Sequence, residues 1–193
     1  VMIANFGGGT TELSVVASGG MVLNKLVKVG GTTFDRAVMN LVRHTHDFLI
    51  GRLTAETLRR RFGIFGGDSH AVLTVAGRNL VTGVPQQQDI SISLVRAAMK
   101  VPLELCIREM ISMLDRTPPE VLKAIEENGI FLTGGLAAMP GLARYIEGAT
   151  GYRVQTARRP DTCSVEGLSR IINSKELKQM AYSMLDENYR WMR

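Results

Sequence analysis

Residues 1–12 read VMIANFGGGTTE: a short apolar segment runs into three consecutive glycines and two threonines. A tight turn between neighbouring strands needs one or two glycines, so the third predicts that another group approaches this backbone closely. Backbone N–H groups of a glycine turn can converge on an anion, and threonine hydroxyls add donors. We therefore expect phosphate binding here, although a plain hairpin turn would have a similar sequence. The residues concerned are Gly7, Gly8, Gly9, Thr10 and Thr11.

The segments around this turn have the pattern of short strands followed by a helix. An antiparallel β-meander is expected over three segments, residues 1–6, 12–17 and 21–29. Two glycines end the meander, after which Thr32 and Asp35 have the spacing of a capping box. They predict a helix that runs to about Phe48.

The middle of the chain predicts a second helix and a small sheet. Thr54 is the expected N-cap of the helix, which Gly63 ends. Three strands are then expected at residues 70–76, 79–85 and 89–93, with a turn at Gly77-Arg78-Asn79 and a loop containing Pro85. This sheet would form a second structural unit.

The remainder predicts helices alternating with buried strands. Apolar residues recur with helical spacing from Leu94 to Leu114, and Pro102 marks either a kink or a restart. Thr117 is the expected N-cap of a helix that ends at Asn128. Strands at 130–132 and 152–157 then alternate with helices at 140–150 and from Ser164. Such alternation favours parallel pairing in an α/β layer.

Composition excludes several classes of protein. With 45% hydrophobic and 21% charged residues among 193, the chain is an ordinary globular sequence. The net charge is +5, but the basic residues are spread along the chain without a nucleic-acid motif, so no nucleic-acid partner is expected. Cys106 and Cys163 are expected to be reduced thiols, and no metal site is predicted from the histidines. No apolar run reaches membrane-spanning length, which favours a cytoplasmic location.

A second glycine turn and one charged helix face complete the candidate site. Thr133-Gly134-Gly135 follows a strand and leads towards a helix, an arrangement in which a flat ring or ribose can lie against the main chain. Glu56, Arg59 and Arg60 share one side of the second helix and could contact a nucleoside, although a solvated helix face has the same pattern.

The order and spacing of these motifs resemble one family. VMIANFGGGTTE, KVGGTTFDRAV, TAETLRRRFG and IFLTGGLAAMPGL follow one another as do DIGGGTTE, VGGxxxD, TAExIK and LTGGGAL in the second half of the MreB family of bacterial actin-like ATPases. LIGRLTAE, GRNLVTGVP and RTPPE are also similar to that family, so the resemblance covers roughly residues 1–167. It implies an α/β, actin-like ATPase (RNase-H-like) domain with an inserted helix-plus-small-sheet subdomain.

The resemblance also implies a division of the chain. Residues 1–31 and 101–173 would form the RNase-H-like subdomain, residues 32–100 the inserted subdomain, and residues 174–193 a C-terminal helical tail. An apolar stripe in the tail predicts docking on its own domain, with a partner helix or a membrane surface as alternatives; it comprises Leu177, Met180, Ala181, Met184 and Leu185. Because the match begins partway through the family pattern, we expect half of a longer protein or the product of a split gene.

Site roles follow from the resemblance residue by residue. The turn from Gly7 to Thr11 would hold the β- and γ-phosphates of ATP, and Gly134, Gly135 and Leu136 would lie against the adenosine. Glu56, Arg59 and Arg60 would border the nucleoside, and Mg²⁺ would bind through water near Asn5. Family members polymerise on ATP into filaments that guide cell-wall synthesis. The expected partners are therefore further copies of the chain and cell-wall synthesis proteins, at the inner face of the membrane, with membrane contact made by the missing half.

Three positions depart from the family pattern. Asn5 replaces the family's Asp, and an amide cannot supply the negative charge that holds hydrated Mg²⁺ or accept a proton. Leu136 replaces a third glycine, and Arg59 replaces a lysine. Two functions are therefore predicted: a filament-forming slow ATPase, or a catalytically impaired paralogue that acts as a structural or copolymerising partner. A small-molecule kinase with a related fold is a third alternative.

Overall fold

The computed structural model describes residues 1–177 of the chain. Eight strands lie in this described part: β1 Met2–Phe6, β2 Thr11–Ala17, β3 Gly20–Val27, β4 Phe48–Leu49, β5 Val72–Asn79, β6 Pro85–Ser91, β7 Ile130–Thr133 and β8 Val154–Thr156. The same part contains six α-helices: α1 Gly31–His46, α2 Arg52–Phe62, α3 Ile92–Asp115, α4 Pro119–Asn128, α5 Leu142–Thr150 and α6 Cys163–Asn173. A short 3₁₀ turn spans Gly135–Ala138. The tail from residue 178 onward, where most of the predicted apolar stripe falls, lies outside the described residues.

The main sheet has five strands in the order β3-β2-β1-β7-β8. β1 pairs antiparallel with β2 and parallel with β7, and β8 continues the parallel side. The predicted meander and the predicted parallel layer are thus both confirmed, and they meet at β1. Alternate residues of β1, Met2, Ala4 and Phe6, are completely buried, as the period of two in a strand requires.

The small sheet has the order β4-β5-β6 and differs from the expectation. The predicted turn at Gly77-Arg78-Asn79 and the predicted strand at 79–85 are wrong, because β5 continues through Asn79 and the turn follows it. The Asn79 side-chain oxygen accepts hydrogen bonds from the amides of Val81 and Thr82, both at 2.9 Å. Gly77 is required inside the strand because a Cβ there would lie 2.6 Å from the Phe48 ring.

The helices start at different residues from those predicted. The N-caps of α1, α2 and α4 are Gly30, Gly51 and Pro118, rather than Thr32, Thr54 and Thr117. The Thr117 hydroxyl instead donates to the Met113 carbonyl at the end of α3. A threonine therefore indicated the neighbourhood of each helix start but not the capping residue itself.

α3 runs without interruption for 24 residues and passes through Pro102. The predicted restart at this proline is thus not observed, although Pro102 leaves the carbonyl of Ala98 without its helical partner. The helix packs against α1 and contacts both β3 of the main sheet and β6 of the small sheet. One buried apolar cluster includes residues from both sheets. The expected subdomain boundary at residue 100 lies within this helix.

Two further findings concern the cysteines and the length of the helices. Cys106 is a buried free thiol and Cys163 is a half-buried one, as predicted. No helix among residues 1–177 is long and apolar enough to cross a membrane.

Candidate functional site

The glycine turn after β1 is held by the start of α1. The amides of Gly31 and Thr32 donate to the carbonyls of Gly7 and Gly8 at 3.0 and 2.8 Å, and the Thr32 hydroxyl donates to the same Gly8 oxygen at 2.9 Å. The turn closes with a hydrogen bond from the Gly7 amide to the Thr10 carbonyl at 2.9 Å. The helix N-terminus therefore binds the outward-facing carbonyls of the turn and fixes its conformation.

The remaining amides of the turn are left free. Within the part of the chain that the structure describes, the N–H groups of Gly8, Gly9 and Thr10 donate to no protein acceptor. Both Gly8 and Gly9 are exposed. A row of free backbone donors with no acidic side chain in the turn can accommodate an anionic group.

The glycines of the site fall into two groups. A Cβ on Gly30 would lie 2.6 Å from the Gly9 carbonyl carbon, and Gly134 has φ +87° and contacts the Phe6 carbonyl, so packing or conformation requires both glycines. Gly8, Gly9 and Gly135 have ordinary backbone angles, and a Cβ on any of them would meet nothing within 4 Å. No other atom of residues 1–177 fills the space in front of these three glycines.

A polar pocket of about 190 Å³ joins the two glycine turns to α2. Its lining residues are Gly7, Gly8, Gly31, Thr32, Asp35, Arg52, Glu56, Arg59, Arg60, Gly135 and Leu136. Seven of the predicted site residues, from three separate segments of the chain, thus lie around one pocket. Gly31, Thr32, Asp35 and Arg52 were not predicted as site residues. The glycine pair Gly30-Gly31 was a sequence signal for Gly31, Thr32 and Asp35. Arg52 lies one helical turn before the predicted residue Glu56.

Five predicted residues do not line the pocket: Asn5, Gly9, Thr10, Thr11 and Gly134. Thr11 is completely buried, and its hydroxyl donates to the Val29 carbonyl at 2.8 Å, so its side chain stabilises the meander instead. Gly134 lies behind Gly135, and its amide donates to the Pro160 carbonyl at 2.6 Å. Gly9 and Thr10 belong to the turn beside the pocket, and their backbone amides are among the free donors described above.

The charges of the pocket are arranged in pairs. Arg59, which is 5% exposed, donates to Asp35, which is 3% exposed, with 2.6 Å between Nε and Oδ1. Arg60 donates to Glu56 at 2.8 Å on the more exposed side of α2. Arg59 therefore links α2 to α1 through a buried ion pair. Its side chain forms part of the pocket wall and is shielded from solvent.

Asn5 lies at the end of β1 beside a carboxylate. Asn5 pairs directly with Glu12 of β2 and with Thr133 of β7, and directly paired strand residues project to the same face of the sheet. Glu12 was not among the predicted site residues. Mg²⁺ is usually held by one or two carboxylates together with phosphate oxygens. Glu12 fits that donor set, whereas Asn5 offers a neutral oxygen.

The walls of the pocket are joined behind it. After α2, Gly63 packs against Pro140, and the Ile64 amide donates to the Pro140 carbonyl at 2.9 Å. The Arg96 side chain of α3 reaches the carbonyls of Phe62, Gly63 and Gly66. This loop fixes the distance between α2 and the turn that carries Gly135.

Solved structures with the same arrangement define the class of protein. MreB5 of Spiroplasma citri bound to AMPPNP superposes with a TM-score of 0.85 at 28% identity, covering 92% of this chain and 53% of that chain. A MamK double helical filament gives a TM-score of 0.75 at 20% identity, covering 90% of this chain and 54% of that one. The fold is therefore actin-like, with a five-stranded sheet and a separate small sheet, which confirms the predicted fold class.

Sequence comparison then specifies the family. The family described as MreB/Mbl protein matches residues 1–180. The cell shape-determining protein MreB of Escherichia coli (strain K12) is 36% identical over 167 residues, which are 86% of this chain and 48% of that protein. The chain belongs to the MreB/Mbl family, as the motifs predicted. It spans about half the length of the curated relatives it matches.

Proposed function

We propose that the chain binds an adenine nucleotide, ATP or ADP, in the pocket between the two glycine turns. The observation that carries this proposal is the coincidence of a free amide and an open glycine at Gly8, which lines the pocket together with Gly135, while the neighbouring amides of Gly9 and Thr10 in the same turn are also free. Similar MreB5 structures of Spiroplasma citri contain AMPPNP and ADP. In this proposal the turn from Gly7 to Thr10 binds the phosphates through its backbone.

The nucleoside would lie between α2 and the second glycine turn. Glu56 and Arg60 would border the ribose, Arg59 would keep the wall in place through Asp35, and Gly135 with Leu136 would lie against the adenine. Bound ATP would supply the phosphoanhydride bond whose hydrolysis drives filament turnover. Glu12 beside Asn5 would hold Mg²⁺ through water.

We further propose that the nucleotide controls assembly of the protein into cytoskeletal filaments that direct cell shape and cell-wall synthesis from the cytoplasmic side of the membrane. Relatives are named cell shape-determining proteins, and a structural neighbour was solved as a filament. The two proposed subdomains, 1–31 with 101–173 and 32–100, would flank the pocket, so a bound nucleotide would contact both and alter the surface presented to the next copy.

A direct binding measurement tests the nucleotide proposal. The chain should bind a fluorescent ADP analogue saturably, and unlabelled ADP and ATP should displace it. Gly148→Ala should bind as the wild type does, because Gly148 lies on α5 with nothing within 4 Å of an added Cβ, and it is the control for Gly8→Ala, whose methyl group would enter the pocket. Failure of both ADP and ATP to displace the analogue would refute the proposal.

A separate measurement tests hydrolysis. Asn5→Asp would place a second carboxylate beside Glu12, which should strengthen Mg²⁺ binding and raise the rate of phosphate release from ATP. Glu12→Gln in the same background should remove the gain. An unchanged rate in Asn5→Asp would favour a filament protein whose nucleotide is structural.

A further inference from the structure

Arg52 is a cation of the pocket that the charge pairs described above do not use. Arg52 is the first residue of α2, is exposed and lines the pocket. Glu56 and Arg59 follow it by four and seven residues, so the three side chains share one face of the helix. The neighbouring Arg59 and Arg60 are held by Asp35 and Glu56.

The residues that line the pocket carry one more positive charge than negative charges. Three arginines and two carboxylates line it, and the carboxylates are occupied by Arg59 and Arg60. Among residues 1–177, no carboxylate lies within 4.0 Å of the Arg52 guanidinium. Its planar set of five N–H donors is therefore available to a ligand.

We propose that Arg52 is a specificity residue that binds the phosphate chain of the nucleotide directly. This inference depends on the proposed nucleotide site and adds to it the residue that senses ligand charge. A guanidinium binds oxyanions through paired, charge-assisted hydrogen bonds, and the phosphate chain is the only anionic part of an adenine nucleotide. Arg52 would thus favour ATP and ADP over AMP and adenosine.

The test is a ligand series on matched variants. Arg52→Gln removes the charge, and Arg61→Gln removes an equal charge from an exposed arginine of the same helix that does not line the pocket. Dissociation constants for adenosine, AMP, ADP and ATP are measured by displacement of the fluorescent ADP analogue from the 193-residue chain. Thermal unfolding of the free variants checks that both remain folded.

The expected result is a loss that grows with phosphate number. Arg52→Gln should weaken ATP binding by about two- to fivefold, which corresponds to an exposed, screened ion pair, and should leave adenosine unchanged. Its ATP affinity should also depend less on salt than that of the wild type, because one screened charge contact is lost. Arg52→Lys should recover part of the affinity.

Three outcomes would overturn the inference. An equal loss for adenosine and ATP would place Arg52 at the base or ribose. Equal losses in Arg52→Gln and Arg61→Gln would reduce the effect to net charge. If the wild-type chain bound none of the four ligands, the nucleotide proposal itself would fail, whereas the first two results would leave it intact.

Discussion

At the scale of single residues, the glycines around the pocket fall into two groups: those that the fold requires and those that leave room for the proposed ligand. Gly30 and Gly134 have no room for a Cβ, whereas Gly8 and Gly135 have open space in front of them and unstrained backbone angles. A glycine that neither packing nor φ requires weakens the folded state through its entropy. In the proposed function, the nucleotide would occupy the open space in front of Gly8 and Gly135, which both line the pocket.

Alanine substitutions should divide along the same line. Gly8→Ala and Gly135→Ala should keep or raise the free energy of unfolding, by up to about 1 kcal/mol, while lowering nucleotide affinity because the methyl group fills the pocket. Gly134→Ala should lower the free energy of unfolding by roughly 1–3 kcal/mol, since it combines a left-handed φ with a clash. Urea unfolding and nucleotide displacement measure the two effects, and a Gly8→Ala protein with unaltered affinity would contradict the assignment.

Cys106 gives a second prediction at this scale. Burial raises the pKa of its thiol from 9.0 to about 11, so the folded state retains the proton in a range where the unfolded chain loses it. Stability from this group is therefore complete below pH 9 and declines as the pH rises from 9 to 11, by on the order of 2–3 kcal/mol. The difference in free energy of unfolding between wild type and Cys106→Ala, measured by urea at pH 8 and pH 11, should shrink accordingly. A constant difference would refute it.

At the scale of elements, the buried pair Arg59–Asp35 joins α2 to α1 under the pocket. Removing one partner of a buried ion pair leaves an uncompensated charge, so Asp35→Asn should cost about 3 kcal/mol or more in free energy of unfolding. The double variant Asp35→Asn with Arg59→Met should cost less than the sum of the single variants. A double-mutant cycle by urea denaturation measures the coupling, and additive losses would show that the pair does not act as a unit.

The same elements show what the sequence could and could not predict. The meander and the parallel pairing in the α/β layer followed from apolar alternation and glycine punctuation. The β5–β6 hairpin could not be predicted in the same way, because Gly77 has the signature of a turn. Only the approach of the Phe48 ring explains why Gly77 lies within β5. Helix starts were misassigned because the N-cap residues Gly30 and Gly51 have no side chain that could accept a capping hydrogen bond.

The site was predicted in part for similar reasons. Glycine motifs are visible in sequence, and so Gly7, Gly8 and Gly135 could be predicted to lie together, as they do around the pocket. Asp35 and Arg52 depend on which helix faces meet across the pocket, and this is fixed by tertiary packing. Thr11 is different: its motif position predicted a phosphate contact, whereas the strand period directs its hydroxyl into the core, where it donates to the Val29 carbonyl.

At the scale of the whole molecule, α3 and the shared apolar cluster connect the main sheet to the small one. A helix that contacts both sheets without interruption, together with buried residues continuous between them, makes separate unfolding of either unit costly. The proposed subdomains should therefore behave as one cooperative unit in the chain, with the nucleotide pocket at their junction.

Calorimetry of the chain should accordingly give a single unfolding transition whose van't Hoff and calorimetric enthalpies agree. A nucleotide that binds only the folded state at a hundred times its dissociation constant adds about 2.7 kcal/mol, which at roughly 2–4 °C per kcal/mol for a protein of this size raises the Tm by about 5–10 °C. The entire transition should move, because α2 and the glycine turns belong to the same cooperative unit. Gly8→Ala should unfold as cooperatively but show little of the shift. Two resolved transitions, of which ADP moves only one, would instead mean that α3 does not couple the sheets and that the pocket is closed by one of them alone.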